Sequence, residues 1–182
     1  MRVLLLGPYP PPHGGVQTNL VAIRRLLFSR GIECSVINLT RFRREAADDI
    51  YYPKSALELL WMLVRLKYDI LHLHIGGNLS TRLLLVGLAA TLMPGRKTVL
   101  TFHSGGYPTS EAGASAGRAT FRGFVLRRFD RLIGVNQELT QLYRKFGVEE
   151  TKIRLIFPHA VIRDSFAPSL PDQMAGFMEA HK

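Results

Sequence analysis

The chain has 182 residues, 47% of them hydrophobic, which supports one filled core and excludes a disordered tail. Lys and Arg number 24 against 14 Asp and Glu, a formal net charge of +10 that favours phosphate-bearing or anionic-membrane partners and says nothing of fold. The single cysteine, Cys34, excludes a disulfide framework, and the longest apolar stretch, Leu83 to Met93, is too short to span a bilayer.

The N-terminal MRVLLLGPYP has too short an apolar run for a signal peptide and leads directly into structure. The expected location is therefore the cytoplasm, with peripheral contact at the inner membrane face open to it. Apolar strand segments are expected at 2–6, 33–39, 69–74, 98–103, 130–135 and 153–157. Amphipathic helices are expected between them at 16–30, 55–67, 79–92, 117–128 and 137–146. Continuous apolar strands imply burial on both faces, and strict β/α alternation implies right-handed crossovers onto a parallel sheet. The fold class is α/β, a doubly wound, Rossmann-like parallel sheet. Gly31 and Gly147 stand where helix stops belong, and Asn136 stands where an N-cap belongs. The proline-marked stretch 158–172 reads as a linker.

In such a sheet, ligands bind beyond the carboxyl ends of the strands. The residues there are Tyr9, His13, Gly14 and Gly15, then His74, Gly76 and Gly77, then His103, Ser104 and Gly105. Gly14 and Gly15 open directly into the helix VQTNLVAIRRLLF, so free amides and the positive end of its dipole face the crevice and suit a phosphate or polar sugar group. A tight turn linking strand to helix accounts for the same residues. The spacing is not G-x-G-x-x-G, and no phosphate loop of the G-x-x-x-x-G-K-[ST] type is present. His72 and His74, two apart on one strand, share a face. Without a neighbouring acidic or cysteine cluster they read as a packed His72 and a rim His74, and no metal is expected. His103 reads equally as a crevice residue or a hydrogen-bonded cap. Arg118, Arg122, Arg127 and Arg128, interleaved with Phe121, Phe124 and Val125, suit an anionic membrane surface or a phosphorylated acceptor. A solvated helix face fits them as well, and their dispersal disfavours nucleic acid.

PYPPPHGGVQTNLVAIRRLLFSRGIECSVI, followed by DILHLH, TVLTFHSG, DRLIGVNQELTQLYRKFGV and KIRLIFPHAV, resembles the N-terminal half of retaining glycosyltransferase family 4, across roughly residues 1–166. These are GT-B enzymes that include phosphatidyl-myo-inositol mannosyltransferases. The resemblance implies an acceptor-side domain over 1–166, with 167–182 as the linker and start of a donor-binding domain. It implies a nucleotide-sugar donor, a sugar or lipid-linked acceptor and no cofactor. Residue by residue, it implies donor contacts at Gly14 and Gly15, acceptor contacts at Tyr9, Gln17 and Ser104, and His103 beside the transferred sugar. Pro158, His159 and Ala160 stand where the family has a Pro-Asn-Gly turn, and the donor-gripping acidic motif is not found. The expectation is thus that the chain alone is inactive. No carboxylate directly follows a rim strand, so the resemblance points to front-face attack by the acceptor hydroxyl rather than double displacement. His13 would be the base candidate for an inverting reaction. The alternative reading is a stand-alone binding module for an anionic sugar or lipid head group.

Overall fold

The computed structural model describes residues 1–40 and 49–158. The segment 167–182, expected as linker and start of a donor-binding domain, His159 and Ala160, and nearly all of the proline-marked stretch 158–172 lie outside those residues. In chain order the elements are β1 (Arg2–Gly7), α1 (Gly15–Ser29), β2 (Glu33–Asn38), β3 (Ile50–Tyr51), α2 (Ala56–Arg65) and β4 (Ile70–Ile75). They continue with α3 (Thr81–Thr91), β5 (Lys97–Phe102), α4 (Glu111–Ala114), α5 (Phe121–Arg128), β6 (Arg131–Gly134), α6 (Gln137–Lys145) and β7 (Ile153–Leu155). The seven strands form one sheet in the order β3-β2-β1-β4-β5-β6-β7, every pairing parallel.

The apolar runs explain the central strands. Leu4, Leu5 and Leu6 are each 0% exposed, which requires cover on both faces of β1. That cover is unequal. On one face, Val3, Leu5, Cys34 and Val36 pack under α1 through Leu20, Ile23 and Leu27. On the other, Leu4, Leu6, Leu71, Leu73, Leu100, Phe102, Leu132 and Ile153 join a larger core with residues of α2, α3, α5 and α6. The β1 to β2 crossover made by α1 runs toward the β3 edge of the sheet, whereas the crossovers through α2, α3, α5 and α6 run toward β7, so right-handedness puts α1 on the opposite face from those helices.

Most expected elements are present, with three differences. A two-residue strand, β3, extends the left edge, and a short helix, α4, follows a 3-10 turn at Tyr107–Thr109. The helix expected from 117 starts at Phe121, because Thr120 turns back to the Gly117 carbonyl (Oγ1 to O, 2.7 Å) and accepts the Gly123 amide as N-cap. The helix punctuation falls where expected: Gly31 and Gly147 adopt positive φ, and the Asn136 side chain accepts the Leu139 amide at 2.9 Å. The two sheet edges are short: β3 has two residues and β7 has three. Leu155, at the end of β7, and Ile156 and Phe157 just past it are 39%, 51% and 55% exposed.

Candidate active site

Strand order reverses between β1 and β4, so the chain leaves in opposite directions from two neighbouring strands and opens a crevice at their carboxyl ends. The loop from Gly7 to Gly14 follows β1, and Gly76 and Gly77 follow β4. They meet closely: a Cβ on Gly76 would lie 2.8 Å from Cγ2 of Val16 in the first turn of α1. Deeper down, a Cβ on Gly7 would lie 3.0 Å from the His74 Cβ, the His74 carbonyl and Leu20 alike. The glycines therefore let β1 and β4 backbone approach each other and the side chains of α1 closely where they converge.

The proline loop is held by a residue that the sequence did not single out. Asn38, buried at the end of β2, accepts the amides of Tyr9 and Thr40 on Oδ1 (3.0 and 2.9 Å) and donates Nδ2–H to the Tyr9 carbonyl at 3.1 Å. A polar residue closing the apolar run CSVI was the available signal. Tyr9 itself turns toward α1, where its hydroxyl accepts from the Arg24 guanidinium at 3.5 Å.

Gly14 is the N-cap of α1, in extended backbone, and no side chain caps it. The other helices are opened by Ser55, Ser80, Ser110, Thr120 and Asn136, each accepting a first-turn amide through its side chain. The first turn of α1 thus lacks the side-chain cap that the other helices have, and its dipole adds positive potential there. Gln17 folds back over the opening, its Oε1 2.8 Å from where a Cβ on Gly14 would stand. Around Gly15 such a Cβ meets nothing within 4 Å. His13 is exposed on the same loop.

The histidines form a stack. The ring of His72 lies 4.0 Å from that of His74, and His74 lies 5.4 Å from His103, centroid to centroid. Shared facing of His72 and His74 is as expected, but their burial is reversed. His74 is 1% exposed rather than at the rim, and the half-buried His72 contacts Oγ1 of Thr101 through Nε2 at 2.7 Å. The reason is local: Gly7 of β1 and Leu20 of α1 close over His74, whereas His72 faces the open space beside α1. His72 lines a mostly apolar hollow of about 330 Å³ there, with Leu26, Ile133 and Phe157.

His103, half-buried just past β5, is fixed by its amide to the Ile75 carbonyl (2.8 Å) and by its Nε2 to Nδ1 of His74 (3.1 Å). The other ring nitrogen of His74, Nε2, is buried without a partner. A buried bare acceptor is tolerated better than a buried orphan N–H. The network therefore assigns the His74 proton to Nδ1, which donates to Nε2 of His103 and leaves the His103 proton on Nδ1. Burial pushes His103 down to about 4 and His72 to about 3, the latter helped by His103, and holds His74 well below its usual range. All three rings are neutral near pH 7. Ser104 accepts the Tyr107 amide on its carbonyl at 3.1 Å, and Gly105 approaches the Asn136 side chain.

The structure thus gathers the loop of Tyr9, Gly14, Gly15 and Gln17 with His103 and Ser104 along the ends of three adjacent strands, β1, β4 and β5. The arginines do not share one wet face. Arg118 precedes α5, and Arg127 is turned inward, donating to the carbonyls of Arg118 (2.6 Å) and Phe146 (3.1 Å). Arg128 reaches Thr91 at 3.3 Å. Among the described residues no group of three or more His, Cys, Asp or Glu is placed to hold a metal ion, and no helix is long and apolar enough to cross a membrane.

Comparison with known structures finds the same architecture in HepE of Anabaena, solved with UDP and glucose: 14% identity, TM-score 0.64, all of this chain and 50% of that one. An alpha-glucosyltransferase solved with UDP-glucose and DNA containing an abasic site matches at 13% identity and TM-score 0.56, over 87% of this chain and 42% of that one. The chain thus spans about half the length of these two proteins. No curated protein sequence matches it. The family model for Glycosyltransferase Family 4 matches residues 13–159, from the glycine loop through β7. The chain therefore belongs to glycosyltransferase family 4, as a Rossmann-like domain of the GT-B type.

Proposed function

We propose that the full-length protein transfers a hexose from a nucleoside-diphosphate sugar to a hydroxyl of a sugar or lipid-linked acceptor, with retention at the anomeric carbon. The observation that carries this reading is the uncapped opening of α1 at the switch-point crevice. Its amides suit donor phosphate, as the name of the HepE complex suits a UDP-linked donor. The bond from the anomeric carbon to the phosphate oxygen breaks, and the acceptor hydroxyl bonds to that carbon from the same face. The departing phosphate takes the hydroxyl proton. Gly14 and Gly15 leave room for the donor, while Gln17, Ser104 and the Tyr9 loop line the acceptor side.

His103 positions the transferred sugar by donating Nδ1–H to one of its oxygens. Because the ring is neutral, it adds no positive charge against the cationic character that develops on the sugar. In the full-length enzyme, His103→Ala should lower kcat by about tenfold or more and leave the donor Kd within about threefold, because the contact sets the orientation of the reacting sugar. Near-normal kcat would return His103 to a structural cap. The 182-residue chain by itself should form no product with a panel of nucleotide sugars, since the family resemblance puts half the donor site on a second domain. Product formation would refute that division.

A further inference from the structure

Helix α2 is apolar on both sides. Leu59, Met62 and Leu63 face the core, while Leu57, Leu60, Trp61 and Val64 are 78%, 41%, 61% and 69% exposed. A helix that lies against the core on one face ordinarily turns polar residues to water on the other. Here the outward residues recur at the helical period, so they form one apolar stripe. Leu85 of α3, 54% exposed, lies beside it, since Leu60 and Leu85 border the same groove. The patch surrounds Trp61, the chain's single tryptophan.

Its rim is cationic. Lys54 precedes the helix, Arg65 closes it, Lys67 follows, and Arg82 opens α3 alongside; all four are exposed. None of them pairs with a carboxylate among the described residues. The acid on α2, Glu58, is occupied with the backbone: its carboxylate accepts the Lys54 amide and its own amide donates to Ser55 Oγ. A second copy of the chain would bring these cations against their like, on a molecule of formal charge +10. An anionic bilayer complements both parts, taking the apolar stripe into its headgroup layer and the rim onto its phosphates.

We infer that the outer face of α2, centred on Trp61, is a docking surface for an anionic membrane. This places the contact on α2 rather than on α5, whose Arg127 and Arg128 are engaged within the domain. The surface lies outside the crevice, and the inference does not depend on the sugar-transfer reading.

The test is titration of the 182-residue chain with vesicles of phosphatidylcholine alone and of phosphatidylcholine mixed with phosphatidylglycerol, reading Trp61 emission and co-sedimentation. The expected result is binding to the anionic vesicles with a blue shift of Trp61, and release as salt screens the rim. Leu57→Ser and Val64→Ser, each at an exposed site, should keep the melting temperature and weaken binding about tenfold each, the effect of withdrawing one apolar anchor. Lys54→Glu with Arg82→Glu should abolish the preference for anionic lipid. Three outcomes overturn the inference: no binding to anionic vesicles, binding with unmoved Trp61 emission, or a blue shift that follows protein concentration without lipid. The last would assign the face to a second copy.

Discussion

Gly15→Ala separates a ligand cradle from a turn, because the structure fixes what the methyl group costs the protein. Its Cβ meets nothing within 4 Å, and its φ is not in the left-handed region. Neither clash nor strain opposes alanine there. At a site whose backbone alanine accepts, the substitution stabilises by about 0.4–1 kcal/mol by restricting the unfolded chain. For a domain of this size that raises the melting temperature by about 1–4 °C. If donor phosphate lies against the first-turn amides, the same methyl group stands between them and an oxygen at hydrogen-bonding distance. Losing one such charge-assisted hydrogen bond costs about 1.5–3 kcal/mol, on the order of ten- to a hundredfold in kcat/KM. Thermal melting of the chain and transfer kinetics of the full-length enzyme read the two effects on one variant. Gly14→Ala is the comparison in which a neighbour must move, because its Cβ would stand 2.8 Å from the end of the flexible Gln17 side chain. A lower melting temperature for Gly15→Ala, or unchanged kcat/KM, would refute the cradle.

Acid should destabilise the domain before any carboxylate titrates. His72, His74 and His103 are held below 6.5 when folded and take a proton near 6.5 when unfolded, so stability is at its full value above that pH. It falls as pH drops toward about 4 and 3. The urea midpoint should be lower at pH 5 than at pH 7.5, with a shallower dependence in His103→Gln; identical midpoints would show that the rings are not neutral in the fold. Gly113→Ala should cost far more than Gly15→Ala, since its Cβ would stand 2.1 Å from the Tyr107 carbonyl oxygen. A drop of several kcal/mol is expected in chemical denaturation, and a near-neutral result would contradict the placement of α4.

The parallel sheet was legible because its strands are unbroken apolar runs, and the gathering of glycines, histidines and a serine into one candidate site because they follow strands at carboxyl ends. Period-two alternation correctly put His72 and His74 on one face. It could not say which would be buried, because that depends on how far α1 reaches across the sheet. Arg127 reads from sequence as a solvated charge. Its partners, the carbonyls of Arg118 and Phe146, become neighbours only when α5 and α6 pack. Asn38 went unnoticed for the same reason, since its bonds to the Tyr9 backbone join residues 29 apart in sequence. The apolar outer face of α2 was present in ALELLWMLVR, but a helix hydrophobic on every side does not reveal which side meets the core.

The two edges of the sheet give the molecule opposite risks of self-association. At β3 the edge offers two residues of open ladder, too few to template another strand. At β7 the ladder is also short, but the chain that ends it in Leu155 continues into Ile156 and Phe157, all three exposed, with the Ile156 amide bonded to the Gly134 carbonyl at 3.1 Å. That border joins unused backbone groups to apolar side chains, beside the hollow that Ile156 and Phe157 share with His72. Colloidal loss of the isolated domain on storage would therefore begin at its β7 border. A lysine in place of Phe157 would act there as a gatekeeper, keeping the chain dispersed without touching the crevice.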